Sequence, residues 1–275
     1  MLVRAVAGGE AVLQPDPDLV DGWVLYLDGA QQSHVDLVDP SNLAFEYVRR
    51  IGHVVDLLPG GPLRVLHLGG GAMTVARYVS TTRPGTRSLV VESDGPLVEL
   101  VRELLPWPRE FLIRVRVADA RTVLDERPDA SADLVVLDVF AGARTPGRLT
   151  SREAFAQIHR ILGSTGTLVA NIADEAPLTY ARRYVAGLCA VFDRVLVTAE
   201  PSVLRGRRFG NLVLVAQPAS AAALDLTALT RRCAGDLWPA RVLSSRGVAD
   251  FVGDHRPFDD ATALGSPEPP PGVFG

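Results

Sequence analysis

The stretch Arg64-Val65-Leu66-His67-Leu68-Gly69-Gly70-Gly71-Ala72-Met73-Thr74-Val75-Ala76-Arg77 runs from a short apolar segment through three glycines straight into a helical pattern. Glycines let the backbone turn sharply and let a ligand approach where a Cβ would block it. A second apolar run, Ser88-Leu89-Val90-Val91-Glu92, follows and closes on an acid 21 residues after Gly71. A strand, a glycine turn, a helix and a second strand ending in an acid form a nucleoside-binding unit. An acid in that place can accept from both ribose hydroxyls.

The pattern extends in both directions. Upstream, 11–13 and 23–27 are short strand candidates separated by Pro15, Pro17 and Gly22, with Asp28-Gly29 as a turn signal. Residues 43–58 carry helical spacing, stopped by Pro59-Gly60-Gly61-Pro62. Downstream, strands are predicted at 63–68, 88–92, 111–117, 132–138, 166–172, 194–198 and 211–216. Helices are predicted at 73–82, 96–105, 152–162 and 178–192. Unbroken Val/Leu/Ile runs suit strands covered on both faces, so the expected fold is α/β, a doubly wound, mostly parallel seven-stranded sheet. The last two strands, with no predicted helix between them, imply an antiparallel pair at one edge. The expected organisation is an N-terminal β cap with a linking helix (1–60), a nucleoside-binding domain (61–218), a helical extension (219–262) and a disordered tail (263–275).

Two further acids end strands. Asp119-Ala120 follows the third strand of the sheet, where an acid can accept from an adenine amino group and a small residue leaves room for the ring. The same acid can cap a helix over 121–126. Asp138 ends the fourth strand, and ligands of doubly wound sheets sit beyond the carboxyl ends of strands. The loop 139–147 after it is long enough to wall a pocket.

Composition narrows the function classes. The net charge of −4 gives no basic footprint for nucleic acid, and 47% hydrophobic residues supply an ample core. No apolar run reaches the ~20 residues of a membrane span, and Met1-Leu2-Val3-Arg4 leads into no secretory signal pattern, so a cytoplasmic setting is expected. Cys189 and Cys233 lie far apart and form no metal-ligand cluster. No metal is expected. His67, inside the first core strand, reads as a satisfied buried histidine. No Ser/His/Asp order, HExxH motif or P-loop lysine supports hydrolysis, metal catalysis or phosphoryl transfer. A dinucleotide reading fails at Thr74, which occupies the third glycine position of Gly-x-Gly-x-x-Gly.

Together these residues resemble the spermidine synthase-like (aminopropyltransferase) family, within the class I S-adenosylmethionine-dependent methyltransferase fold. Leu27-Asp28-Gly29-Ala30-Gln31-Gln32 is similar to the family's Leu-Asp-Gly-x-x-Gln segment, making Gln32 the counterpart of its nucleoside-contacting glutamine. Gly69, Gly70 and Gly71 match the glycine motif, Glu92 the ribose-binding acid, and Asp119 with Ala120 the adenine-side pair. Asp138 matches the first acid of the catalytic loop, and Leu149-Thr150-Ser151-Arg152-Glu153-Ala154-Phe155 the stretch after it. The resemblance implies S-adenosylmethionine or its decarboxylated form as co-substrate, a small amine or other small acceptor as partner, and a homodimer.

The chain also departs from the family. The glycine motif continues as Ala72-Met73-Thr74 where the family has Asp-Gly-Gly, and Asp138 is followed by Val139-Phe140-Ala141, without the second loop acid. Ala72 and Phe140 are expected to make the acceptor side apolar. The implied function is transfer of an aminopropyl or methyl group from sulfonium, with Asp138 as proton acceptor or amine anchor. The alternative is a catalytically silent nucleoside-binding homologue.

Overall fold

The computed structural model describes residues 1–140 and 144–270. Four N-terminal strands, β1 (Leu2–Val6), β2 (Gly9–Pro15), β3 (Gly22–Leu27) and β4 (Ala30–Asp36), form an antiparallel sheet in chain order. The β3–β4 turn is Asp28-Gly29, with φ of 48° and 79°. Two successive positive φ values are what a two-residue hairpin turn requires. Helix α1 (Glu46–Leu57) ends before the Pro-Gly-Gly-Pro stop.

The main body alternates strand and helix. It begins with β5 (Arg64–Leu68), α2 (Thr74–Thr82), β6 (Arg87–Glu92), α3 (Gly95–Leu104), β7 (Ile113–Val117) and α4 (Ala120–Glu126). It continues with β8 (Leu134–Leu137), α5 (Arg152–Leu162), β9 (Thr167–Asp174), α6 (Thr179–Cys189) and β10 (Arg194–Ala199). The short α7 (Pro201–Leu204), β11 (Gly210–Gln217), α8 (Leu226–Ala234), β12 (Arg241–Ser244) and α9 (Arg246–Val252) complete it.

The large sheet has the order β12-β10-β11-β9-β8-β5-β6-β7. Strands β9, β8, β5, β6 and β7 are parallel, and β11 runs antiparallel to both β9 and β10. The expected seven strands are therefore eight. β12 pairs outside β10, so the antiparallel pair is not at the edge and the extension is not purely helical. Val242, Leu243 and Ser244 are only half-buried, as suits an edge strand. Every residue of β9 is buried, which explains its unbroken apolar run, whereas β7 at the other edge turns Arg114 and Arg116 outward.

One core cluster joins Leu66 and Ile172 to Phe155 and Tyr184 on one face of the sheet. A second joins Val136, Val169 and Val213 to Ile51, Val55 and Leu229 on the other face. A third seats the N-terminal sheet, through Leu13 and Leu25, on Met73, Ala76 and α3.

The expected structureless tail needs a correction for the residues the structure describes. Ser266 is fully buried, its hydroxyl accepts from Thr145 N–H at 2.9 Å, and its own N–H donates to Thr145 O at 3.1 Å. Its proline-rich composition carries no trace of partners that lie more than a hundred residues earlier. The last part of that tail, 271–275, and Ala141-Gly142-Ala143 of the predicted pocket-wall loop lie outside the described residues.

Candidate active site

The chain order reverses across β5 and β8: β6 and β7 build outward on one side, β8 and β9 on the other. A crevice opens at such a switch point. The segments leaving these two strands, Gly69-Gly70-Gly71 and Asp138, line one cavity of about 400 Å³. Gln32, Glu92, Asp119 and Ala120 line the same cavity, so every sequence-predicted site residue lies on it.

The glycine turn is held from below by Glu92. One carboxylate oxygen accepts from Gly70 N–H at 2.9 Å and lies 3.4 Å from Gly71 N, while the other accepts from Asp94 N–H at 3.1 Å. Gly69 has φ +92° and Gly71 φ +47°, both in the region that favours glycine. The N-terminal sheet closes over this turn. Ser33 Oγ accepts from Ala72 N–H at 3.1 Å, and Asp94 accepts from Gly8 N–H at 2.7 Å. Gln32, next to Ser33 on β4, also lines the cavity.

Asp119 caps α4, accepting from Thr122 N–H at 3.0 Å. A cap uses one carboxylate oxygen, so the capping role and an adenine-side role are compatible. Arg148 at the cavity rim lies 3.7 Å from the same carboxylate.

Asp138 sits deeper. Asn171 Nδ2 donates to Asp138 Oδ1 at 3.0 Å, and the Tyr47 hydroxyl also hydrogen-bonds this carboxylate. Burial pushes the Asp138 carboxyl up to about 6, with the Asn171 and Tyr47 hydrogen bonds pulling the other way. Burial and the Asp138 charge raise the Tyr47 phenol well above its ordinary value, so it stays a neutral donor. His67, 2% exposed, approaches Ser88 Oγ at 3.2 Å, and burial lowers its pKa to about 3. It is a neutral structural group.

One expectation about the acceptor side is corrected. Ala72 does not line the cavity; it is 1% exposed and packs in the cluster beneath the N-terminal sheet. Phe140 does line it.

A crystal structure of a probable spermidine synthase from Corynebacterium glutamicum superposes with a TM-score of 0.88 at 35% identity, covering 94% of this chain and 95% of that one. The chain belongs to the spermidine synthase-like (aminopropyltransferase) family. Spermidine synthase from Thermotoga maritima shares the fold, with a TM-score of 0.60 at 14% identity over 95% of this chain and 81% of that one. Among curated aminopropyltransferases, that of Aeropyrum pernix is 29% identical over 168 residues, 58% of this chain and 51% of that protein. That of Neisseria meningitidis serogroup A is 25% identical over 206 residues, 73% of this chain and 74% of that protein. The chain spans about half the length of the first two curated relatives it matches. No protein-family model matches it.

Two site residues of this aminopropyltransferase-family chain escape a sequence reading, Tyr47 and Asn171. Asn171 had a signal, since an amide in the middle of Thr167-Leu168-Val169-Ala170-Asn171-Ile172 is costly to bury unless it has a partner. Tyr47 had a weak one: the resemblance expects a tyrosine and histidine pair after the N-terminal segment, which is not clear around 43–47, and the helical spacing of Tyr47 reads equally well as packing.

Proposed function

We propose that this protein is a transferase of polyamine biosynthesis. It binds decarboxylated S-adenosylmethionine and moves the aminopropyl group to an amine. The observation that carries this reading is the order of groups along the carboxyl edge of the sheet. Asp119 follows β7, Glu92 ends β6, the glycines follow β5, Asp138 follows β8 and Asn171 lies on β9. At about 4.8 Å per strand, Glu92 and Asp138 stand roughly 10 Å apart across the edge. That span fits a nucleoside with adenine at Asp119, ribose at Glu92 and the sulfonium chain running past the glycines toward Asp138.

The chemistry assigned to Asp138 is proton removal. The acceptor enters as an ammonium ion and gives a proton to the Asp138 carboxylate. The freed nitrogen lone pair attacks the carbon bonded to sulfonium. The C–S bond breaks, its electron pair stays on sulfur, and methylthioadenosine leaves as a neutral thioether. The proton then passes from Asp138 to solvent. A base raised to about 6 is better matched to this task than an ordinary aspartate, yet remains ionised at neutral pH. The remainder of the rate enhancement is positioning, since in-line displacement needs the amine held near the carbon it attacks.

Methyl transfer from S-adenosylmethionine is the second reading. The observation that favours it is that the carboxylates beside the glycines, Glu92 and Asp94, already hold backbone amides, so among the described residues no free acid there meets the ammonium end of an aminopropyl chain. Calorimetry with S-adenosylmethionine, its decarboxylated form and methylthioadenosine, followed by mass analysis of products, tests both. Aminopropylated amine with release of methylthioadenosine supports the main reading, and methylated product supports the second. Binding of none of the three sinks both, and binding without turnover of any amine leaves the silent nucleoside-binding homologue.

A further inference from the structure

The cavity is lined by four carboxylates among the described residues, and three already have work. Glu92 holds the glycine amides, while Asp94 and Asp119 cap α3 and α4. Asp138 is the one left at the end where the acceptor must sit. Glu46 neighbours Tyr47 but does not line the cavity.

The rest of this end is uncharged. Val48, Val136, Val139, Phe140 and Ala173 supply apolar walls, and Asn211 an amide. Asn171 is 1% exposed and already donates to Asp138, which leaves its Oδ1 without a hydrogen-bond partner among the described residues. Alternation along β9 and β11 puts Asn171 and Asn211 on one face, since Asn211 pairs with Ala173 and Val213 with Asn171. One primary amine has N–H groups for both Asp138 and the vacant Asn171 acceptor. A second ammonium farther along the same molecule would be desolvated against valine and phenylalanine with no counter-charge, which is strongly unfavourable.

We propose that the acceptor is a primary monoamine with an uncharged, largely apolar body, its nitrogen held between Asp138 and Asn171 Oδ1, and that diamines are poor substrates. This rests on the aminopropyl-transfer reading above and departs from its placement in polyamine biosynthesis, since an aminopropylated monoamine carries two nitrogens only. The test uses the full chain with decarboxylated S-adenosylmethionine as donor and a pair of near-equal shape, 1-aminopentane and 1,4-diaminobutane. Initial rates are read as methylthioadenosine released and as the mass of the alkylated amine. The expected result is a kcat/KM at least tenfold higher for the monoamine, with the ratio moving at least tenfold toward the diamine in Phe140→Asp. Equal or better use of the diamine by the unaltered protein overturns the proposal, as does donor binding with no monoamine turnover. Failure of methylthioadenosine and both donors to bind in calorimetry marks failure of the underlying transferase reading instead.

Discussion

Gly69 touches the backbone of Asp138: a Cβ built on the glycine would stand 2.0 Å from the Asp138 carbonyl oxygen. The turn that cradles one substrate thus packs against the residue that faces the other, with no room for a methyl group. Gly69→Ala must also hold φ near +92°. Strain and overpacking together should cost about 2–5 kcal/mol, or a Tm lower by roughly 5–15 °C. Gly60→Ala is the control, since nothing lies within 4 Å of its Cβ. Thermal melts of the two variants check this, and a Gly69→Ala melt equal to that of the unaltered chain would contradict the geometry.

Asp138→Asn separates chemistry from stability. The native carboxyl titrates near 6, against ~3.9 in an unfolded chain. Between these values the native state holds a proton that the unfolded state has lost, so stability falls as pH rises through the window. Above it, the buried charge costs the native state about 1–3 kcal/mol, which asparagine removes. The variant should melt higher than the unaltered chain by roughly 2–10 °C at pH 7.5 and show no such gain at pH 4. Its transfer rate should fall by about 100-fold or more. An equal gain in Tm at both pH values would remove burial of the charge as the cause.

Tyr47→Phe isolates the hydrogen bond that restrains the same acid. With the hydroxyl gone, one of the two bonds favouring the carboxylate disappears and the Asp138 pKa rises. The acid limb of the pH profile of kcat/KM should therefore move upward. At pH 6 the rate should drop by roughly 3–10-fold, shrinking toward parity at pH 8.5. A uniform loss at all pH values would instead indicate a packing role for the ring.

What could be read from the sequence is local. Asp28-Gly29, the stop after α1 and the glycine turn each carry their instruction within a few residues. Glu92, Asp119 and Asp138 were legible because strand ends are where α/β folds keep ligands, and Gln32 only through its match to a Leu-Asp-Gly-x-x-Gln segment. What was hidden depends on partners distant in the chain. β12 is a half-buried edge strand whose four residues lack a strong pattern, and its pairing with β10 supplies the order. Asn171 and Tyr47 acquire meaning only when β9 and α1 bring them to Asp138.

The same dependence makes Ser266 a sensitive probe of the acceptor wall. Its hydroxyl is the acceptor for Thr145 N–H, its carbonyl accepts from Arg144 Nε at 2.7 Å, and both Ser266 and Thr145 are buried. Thr145 lies next to Pro146, which lines the cavity, and Thr150 Oγ1 donates to Leu264 O at 3.3 Å. The C-terminal segment therefore braces the far end of the loop that starts at Asp138. Ser266→Ala leaves Thr145 N–H buried without its partner, at a cost of about 1–3 kcal/mol. The loosened loop should raise the acceptor KM several-fold while methylthioadenosine affinity falls less, because Glu92 and the glycines are held by other bonds and Arg148 alone of this segment approaches the adenine-side Asp119. Calorimetry beside steady-state kinetics checks the split, and a parallel loss of nucleoside affinity would show that the segment supports the whole site instead of the acceptor wall alone.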